Sequence, residues 1–227
     1  MKPLLLLSVL ALAPGLQAQV TTVAVPGNIV VTQPALDPLL VQSQLSIAPK
    51  VVVETQPTTV TVPATPAVPP EVVKTTKTTT VVETPGLPRR VYQSERNVVV
   101  VQDQNETREL PYVTLPVLFV KETAELLDAE SRAALEQVAS VIRNVSQTTP
   151  GAKFDIEGHT STDGTAEFNA TLSAARAQRV YDELTQRYKV PPEVLSAHGY
   201  GESFPMHPNG TEAEMQMDRR VLVVRTR

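Results

Sequence analysis

The chain has 227 residues, no cysteine, only 4% aromatic residues and a formal net charge of −4 at pH 7. Without cysteine it can form neither a disulfide nor a Cys-ligated zinc site, nor the lipid-modified cysteine of a bacterial lipoprotein. It has no basic block and no aromatic stacking platform, so nucleic acid is not an expected partner.

Residues 1–18 read as a secretory signal peptide. Lys2 supplies the positive start, residues 4–13 form an apolar core, Pro14-Gly15 break it, and Leu16-Gln17-Ala18 offer a cleavage site. That core is short of the ~20 residues a spanning helix needs, although an uncleaved anchor is the alternative. Residues 19–111 read as a disordered tether rich in Val, Thr, Pro and Gln. Thirteen of the 20 prolines fall between Val20 and Pro116, and each would remove a donor from a sheet ladder. No aromatic residue appears before Tyr92 to fill a core. Within this stretch 98–101 is apolar enough to add a strand to a neighbouring sheet edge.

The folded part is expected at residues 112–227. They hold all four phenylalanines and six of the nine glycines, with 12 basic against 16 acidic side chains. Residues 113–120 read as a first strand. Thr123 is the expected cap of a helix running to about Asn144, with Leu127, Ala134, Leu135, Val138, Val141, Ile142 and Val145 on one stripe. Pro150-Gly151 turn the chain. Residues 152–158 then alternate, with Phe154 and Ile156 on one face and Lys153, Asp155 and Glu157 on the other, as in a half-buried strand. A loop leads to a second helix over about 169–188, which Pro191-Pro192 stop. A third strand follows in 194–200, a short helical turn near 211–216, and a last strand at 221–225. The order predicts an α+β fold: a two-layer βαβαβ(α)β sandwich with helices over a mixed sheet.

Short signatures mark the ends of these elements: Gly158-His159-Thr160 with Gly164; Asn169; Leu172-Ser173 with Arg176-Ala177; His198-Gly199-Tyr200-Gly201-Glu202; and Asp218-Arg219-Arg220. In order and spacing they resemble the C-terminal, peptidoglycan-associating domain of the outer-membrane protein A family. The resemblance covers about residues 113–227 and does not extend to the family's β-barrel. It implies non-covalent binding of cell-wall stem peptides that contain diaminopimelate, whose side-chain end is a zwitterion. By position Arg176 would meet the carboxylate, Asn169 would help hold the ligand, and Arg220 would be a second basic contact. Thr160 stands in the Gly-His-Thr signature. The family's Asp after that signature is Ser161 here. At the end of strand one this chain reads Phe119-Val120-Lys121-Glu122, so the first of two family acids is Val120. Asp163, in the same loop as Ser161, is the candidate to replace the missing anion. A serine accepts a hydrogen bond but cannot neutralise an ammonium. Without Asp163, affinity should fall by about one to three powers of ten.

The residues also carry structural alternatives. Arg176 could pair with Asp163 or Glu167, and Arg219 and Arg220 could charge an edge strand against aggregation. His159 and His198 have no evident third metal ligand and read as structural. No catalytic constellation stands out, so an enzyme is not expected, and neither is a cofactor. The expected product is an exported peptidoglycan-binding module, periplasmic and associated with the cell wall or outer membrane. The alternative is an envelope interaction protein that keeps the fold with weakened or lost wall binding. Other envelope proteins and a homodimer remain open as partners.

Overall fold

The longest strand, β4 (Thr107–Leu115), is shared by two halves of one sheet. In the computed structural model the described residues are 36–52, 88–103 and 106–227. The expected signal peptide and the tether residues 19–35 and 53–87 lie outside them. Along one edge of β4 runs β3 (Val98–Gln102), itself paired to β2 (Arg89–Gln93). The other edge carries first β1 (Lys50–Val52) and then β7 (Val221–Arg225). Pro111 falls between the β1-paired and the β7-paired residues, so its missing N–H removes no ladder bond there. Beyond β7 lie β5 (Phe154–Gly158) and β6 (Leu195–Gly199). Only β5 and β6 are parallel, and the sheet is mixed, as expected.

The helices cover one face. Helix α2 (Ala129–Thr148) starts six residues after the expected cap Thr123, because Asp128 accepts from the Ser131 amide at 2.8 Å. Thr123 instead closes a turn: its hydroxyl donates to Val120 O and accepts from the Glu125 amide. Helix α3 (Ala166–Asp182) starts three residues before the expected position, capped by Thr165. It passes into a π-helical turn, Glu183–Arg187. Helix α3 lies directly on β5 and β6: a Cβ at Gly158 would sit 2.2 Å from Ser173 O, and one at Gly199 2.2 Å from Ala174 N. These two glycines serve close helix–strand contact rather than a tight turn. The apolar stripe of α2 packs with Phe154, Ile156, Ala177, Val180, Leu184, Val221 and Val223 in the main core.

Two differences from expectation concern residues 36–52 and 88–111, read from sequence as tether. Helix α1 (Pro38–Ser46) puts Val41 and Leu45 into the main core. Its last carbonyls, Leu45 O and Ser46 O, accept from the buried Arg225 at 3.0 and 2.6 Å. Its proline is at the first helical position, where no N–H is needed. The second difference is β2 and β3. The sheet curls so that they fold back over the face that α2 and α3 leave uncovered. There Val99, Val101, Leu110 and Tyr112 pack on Leu222 and Val224. Arg90 pairs with Glu157, and the Tyr92 hydroxyl donates to the same carboxylate at 2.7 Å. Strand β5 is therefore buried along its whole length rather than on alternate residues.

Candidate ligand groove

An open groove of roughly 820 Å³ lies where the chain leaves β4 and β5. One wall is the loop after β4, residues 117–122 with Leu127; the floor is the 160–164 loop after β5. Helix α3 supplies Phe168, Asn169, Leu172 and Arg176. Helix α4 (Glu212–Asp218) and Arg219 close the far end. Helix α4 is set by a capping box between Thr211 and Glu214. Side chains in the groove thus come from loops and helix starts held by a rigid sheet.

Arg176 lines the groove from α3. Its Nε donates to Thr123 O at 3.0 Å, and its guanidinium sits 5.0 Å from the centre of the Phe119 ring. Among the described residues no carboxylate pairs with it, so neither Asp163 nor Glu167 takes it. Burial first, and then the nearby charge of Arg219, hold its pKa below the ordinary arginine value. Arginine stays ionised in proteins, so a positive charge stands in the groove with a carbonyl and a ring for company.

Around Ser161 the arrangement is opposite: Ser161, Asp163 and Arg219 are engaged with one another. Arg219 donates from Nη2 to Asp163 at 2.7 Å, from Nη1 to Glu212 at 2.5 Å and Gln216 at 2.9 Å, and from Nε to Ser161 Oγ at 3.1 Å. Ser161, 3% exposed, also donates to Asp163 at 3.4 Å. Asn169 is buried. Its amide nitrogen reaches Ser161 O, Asp163 O and, at 2.6 Å, the Glu202 carboxylate, clasping the 161–163 loop to the loop after β6. Thr160, also in the groove lining, is buried, and its hydroxyl, itself without exposed surface, has no partner.

Arg220 is not in the groove. Adjacent residues entering a strand point to opposite faces. Arg219 faces the groove, while Arg220, 8% exposed, turns under β2. There it pairs with Asp218 at 3.3 Å, donates to Phe204 O and lies over the Tyr92 ring. Arg219 was singled out in the sequence only as one of a pair, and strand alternation was the available signal for choosing between them. His159 sits under the same layer, its ring 5.2 Å from that of Tyr92 and 5.6 Å from that of Tyr200. Burial first, and then the Arg220 charge, push its pKa down to about 4. His198 pairs with Asp155 at 2.7 Å. Among the described residues no cluster of His, Asp and Glu could hold a metal ion.

The groove and its sheet belong to a stretch that matches a known family, described as the OmpA family, over residues 118–219. These residues form an OmpA family domain. Within it and around it the chain is 40% identical to outer membrane porin F of Pseudomonas aeruginosa over 72 residues, 32% of this chain and 21% of that protein. It is 32% identical to the putative lipoprotein YfiB of Escherichia coli over 110 residues, 48% of this chain and 66% of the relative. A crystal structure of the peptidoglycan-associated lipoprotein from Burkholderia pseudomallei is 26% identical, with a TM-score of 0.42 over 48% of this chain and 88% of that one. The chain spans about a fifth of the length of the porin it matches. By their names the first two relatives are an outer-membrane porin and a putative lipoprotein. No helix among the described residues is long and apolar enough to cross a membrane.

Proposed function

We propose that the OmpA domain attaches its chain non-covalently to peptidoglycan, holding a carboxylate of a diaminopimelate-containing stem peptide on Arg176. The observation that carries this reading is the guanidinium of Arg176, in an open groove without a carboxylate partner among the described residues. A charge-assisted hydrogen bond to a ligand carboxylate is worth about 1.5–3 kcal/mol. Asp163, a groove residue in the same loop as the buried Thr160 and Ser161, is the acid for the ligand's amine. Asn169 contributes by fixing the loop that carries them. Arg220, buried under β2, has no part in it.

Co-sedimentation with purified sacculi tests the reading. Arg176→Ala should lower the bound fraction at least tenfold while the circular dichroism spectrum stays that of the wild type. Full retention by the variant overturns it. A second reading, an envelope interaction protein that keeps the fold without binding the wall, is favoured by the Asp163–Arg219 pair, which occupies the acid. It predicts a folded wild type that does not sediment with sacculi at all.

A further inference from the structure

We infer that Phe119 is a positioning residue for Arg176: its ring and the turn that follows it hold the guanidinium so that a ligand carboxylate is taken end-on, by the two terminal nitrogens together. This deepens the carboxylate reading above and rests on it. A guanidinium can grip a carboxylate in a two-bond fork along either the Nε edge or the Nη1–Nη2 edge. In this groove the first is taken, because Nε donates to Thr123 O at 3.0 Å. The Phe119 ring stands against the guanidinium, 5.0 Å from ring centre to the central carbon. No described residue accepts from Nη1 or Nη2, so the terminal edge is the one left for a ligand.

The ring is itself held. Phe119 packs against the main core, bridges to Leu126 and follows Leu118, whose amide donates to Ser131 Oγ on α2. The chain then turns through residues 120–123, closed by the Thr123 amide on Val120 O at 3.0 Å. At the third position of this turn Glu122 has a φ of 60°, in the left-handed region that a residue with a Cβ enters at a cost. Strained backbone of this kind persists where neighbouring contacts over-determine it, and it gathers at binding sites. The contact that follows it here is the Thr123 carbonyl on Arg176. Helix α3 therefore sets where the charge of Arg176 stands, and Phe119 with Thr123 sets how its fork is aimed. Two parallel N–H donors match the two oxygens of a carboxylate; the corresponding carboxamide has one oxygen and turns its own donors towards the second nitrogen. Without the ring the charge remains but the fork loses its aim, and discrimination between the two groups falls.

The experiment titrates the full chain with two synthetic stem tripeptides by calorimetry. One carries diaminopimelate with its side-chain carboxyl free; in the other that carboxyl is an amide. The wild type should bind the carboxylate peptide at least tenfold more tightly. Phe119→Leu, which keeps an apolar side chain but no ring, should cut that preference about threefold by weakening the carboxylate peptide alone. Phe119→Tyr, which keeps the ring, should retain it. A wild-type preference in Phe119→Leu, its loss in Phe119→Tyr, or equal weakening of both peptides overturns the positioning role and leaves the carboxylate reading standing. A wild type that binds the two peptides equally, or binds neither, overturns both.

Discussion

Glu157 has no side-chain exposure, yet it remains a carboxylate that Arg90, Tyr92 and His159 surround. Burial alone would raise its pKa; its hydrogen bonds and neighbouring cations outweigh that and hold it below the usual value. Removing one partner of such a pair strands the other, at a typical cost of about 3–5 kcal/mol. Arg90→Ala should therefore lower unfolding stability by roughly 3 kcal/mol in urea titration. Replacing both, as Arg90→Met with Glu157→Gln, should recover most of it, and a double variant as weak as the single would contradict this account. His159 makes the same neighbourhood pH-sensitive. Its folded pKa, about 4, lies below its unfolded value near 6.5, so between those limits the unfolded chain binds the extra proton. Stability contributed by neutral His159 is complete above about pH 6.5 and is lost as pH falls towards 4, on the order of 3 kcal/mol in all. Asp155, whose pKa burial raises, works in the opposite sense at the acid end. The histidine effect is thus the difference between wild type and His159→Gln, whose stability should change less across that window.

Helices α2 and α3 and strands β5, β6 and β7 were legible because each carries its apolar residues at a period its neighbours satisfy. The last strand falls where its Val-Leu-Val-Val run predicts, at Val221–Arg225. The groove's helix side was legible for the same reason: Arg176 and Asn169 keep their place on α3 in any register that buries Val180 and Leu184. What could not be read locally depends on distant partners. In sequence, α1 is nine uncharged residues beginning with proline. It is a helix because Val41 and Leu45 reach the core and Arg225, some 180 positions away, meets its last carbonyls. Strands β2 and β3 read as Val/Thr/Pro tether because the acid, the histidine and the arginine they cover lie far along the chain. The 98–101 run was the one local signal for an added strand. Leu45→Ala tests α1 as part of the core: Leu45 is fully buried, and its truncation should cost about 2–4 kcal/mol in urea titration. No measurable loss would return α1 to the tether.

Across the whole molecule, the boundary expected at 112 cuts through β4 and would remove Arg90 and Tyr92, which pack on Glu157, His159 and Arg220. A fragment of residues 112–227 should accordingly be much less stable than one of 36–227. It should also bind hydrophobic dye, whereas equal melting temperatures would show the β2–β3 layer to be dispensable. The backbone contact of α3 with Gly158 and Gly199 has a consequence at the same scale. No side chain lies between helix and strand there to be compressed, so Arg176 rides on a wall that cannot recede. The opposite wall, residues 117–127, is a loop held by the Phe119–Leu126 bridge, the Thr123 turn, the Leu118 amide on Ser131 Oγ and the Arg176 bond to Thr123 O. The groove is a caliper with one fixed arm: what the domain accepts in width is decided by the loop after β4 and by α4, and changes there can retune the ligand while the charge on Arg176 stays where it is.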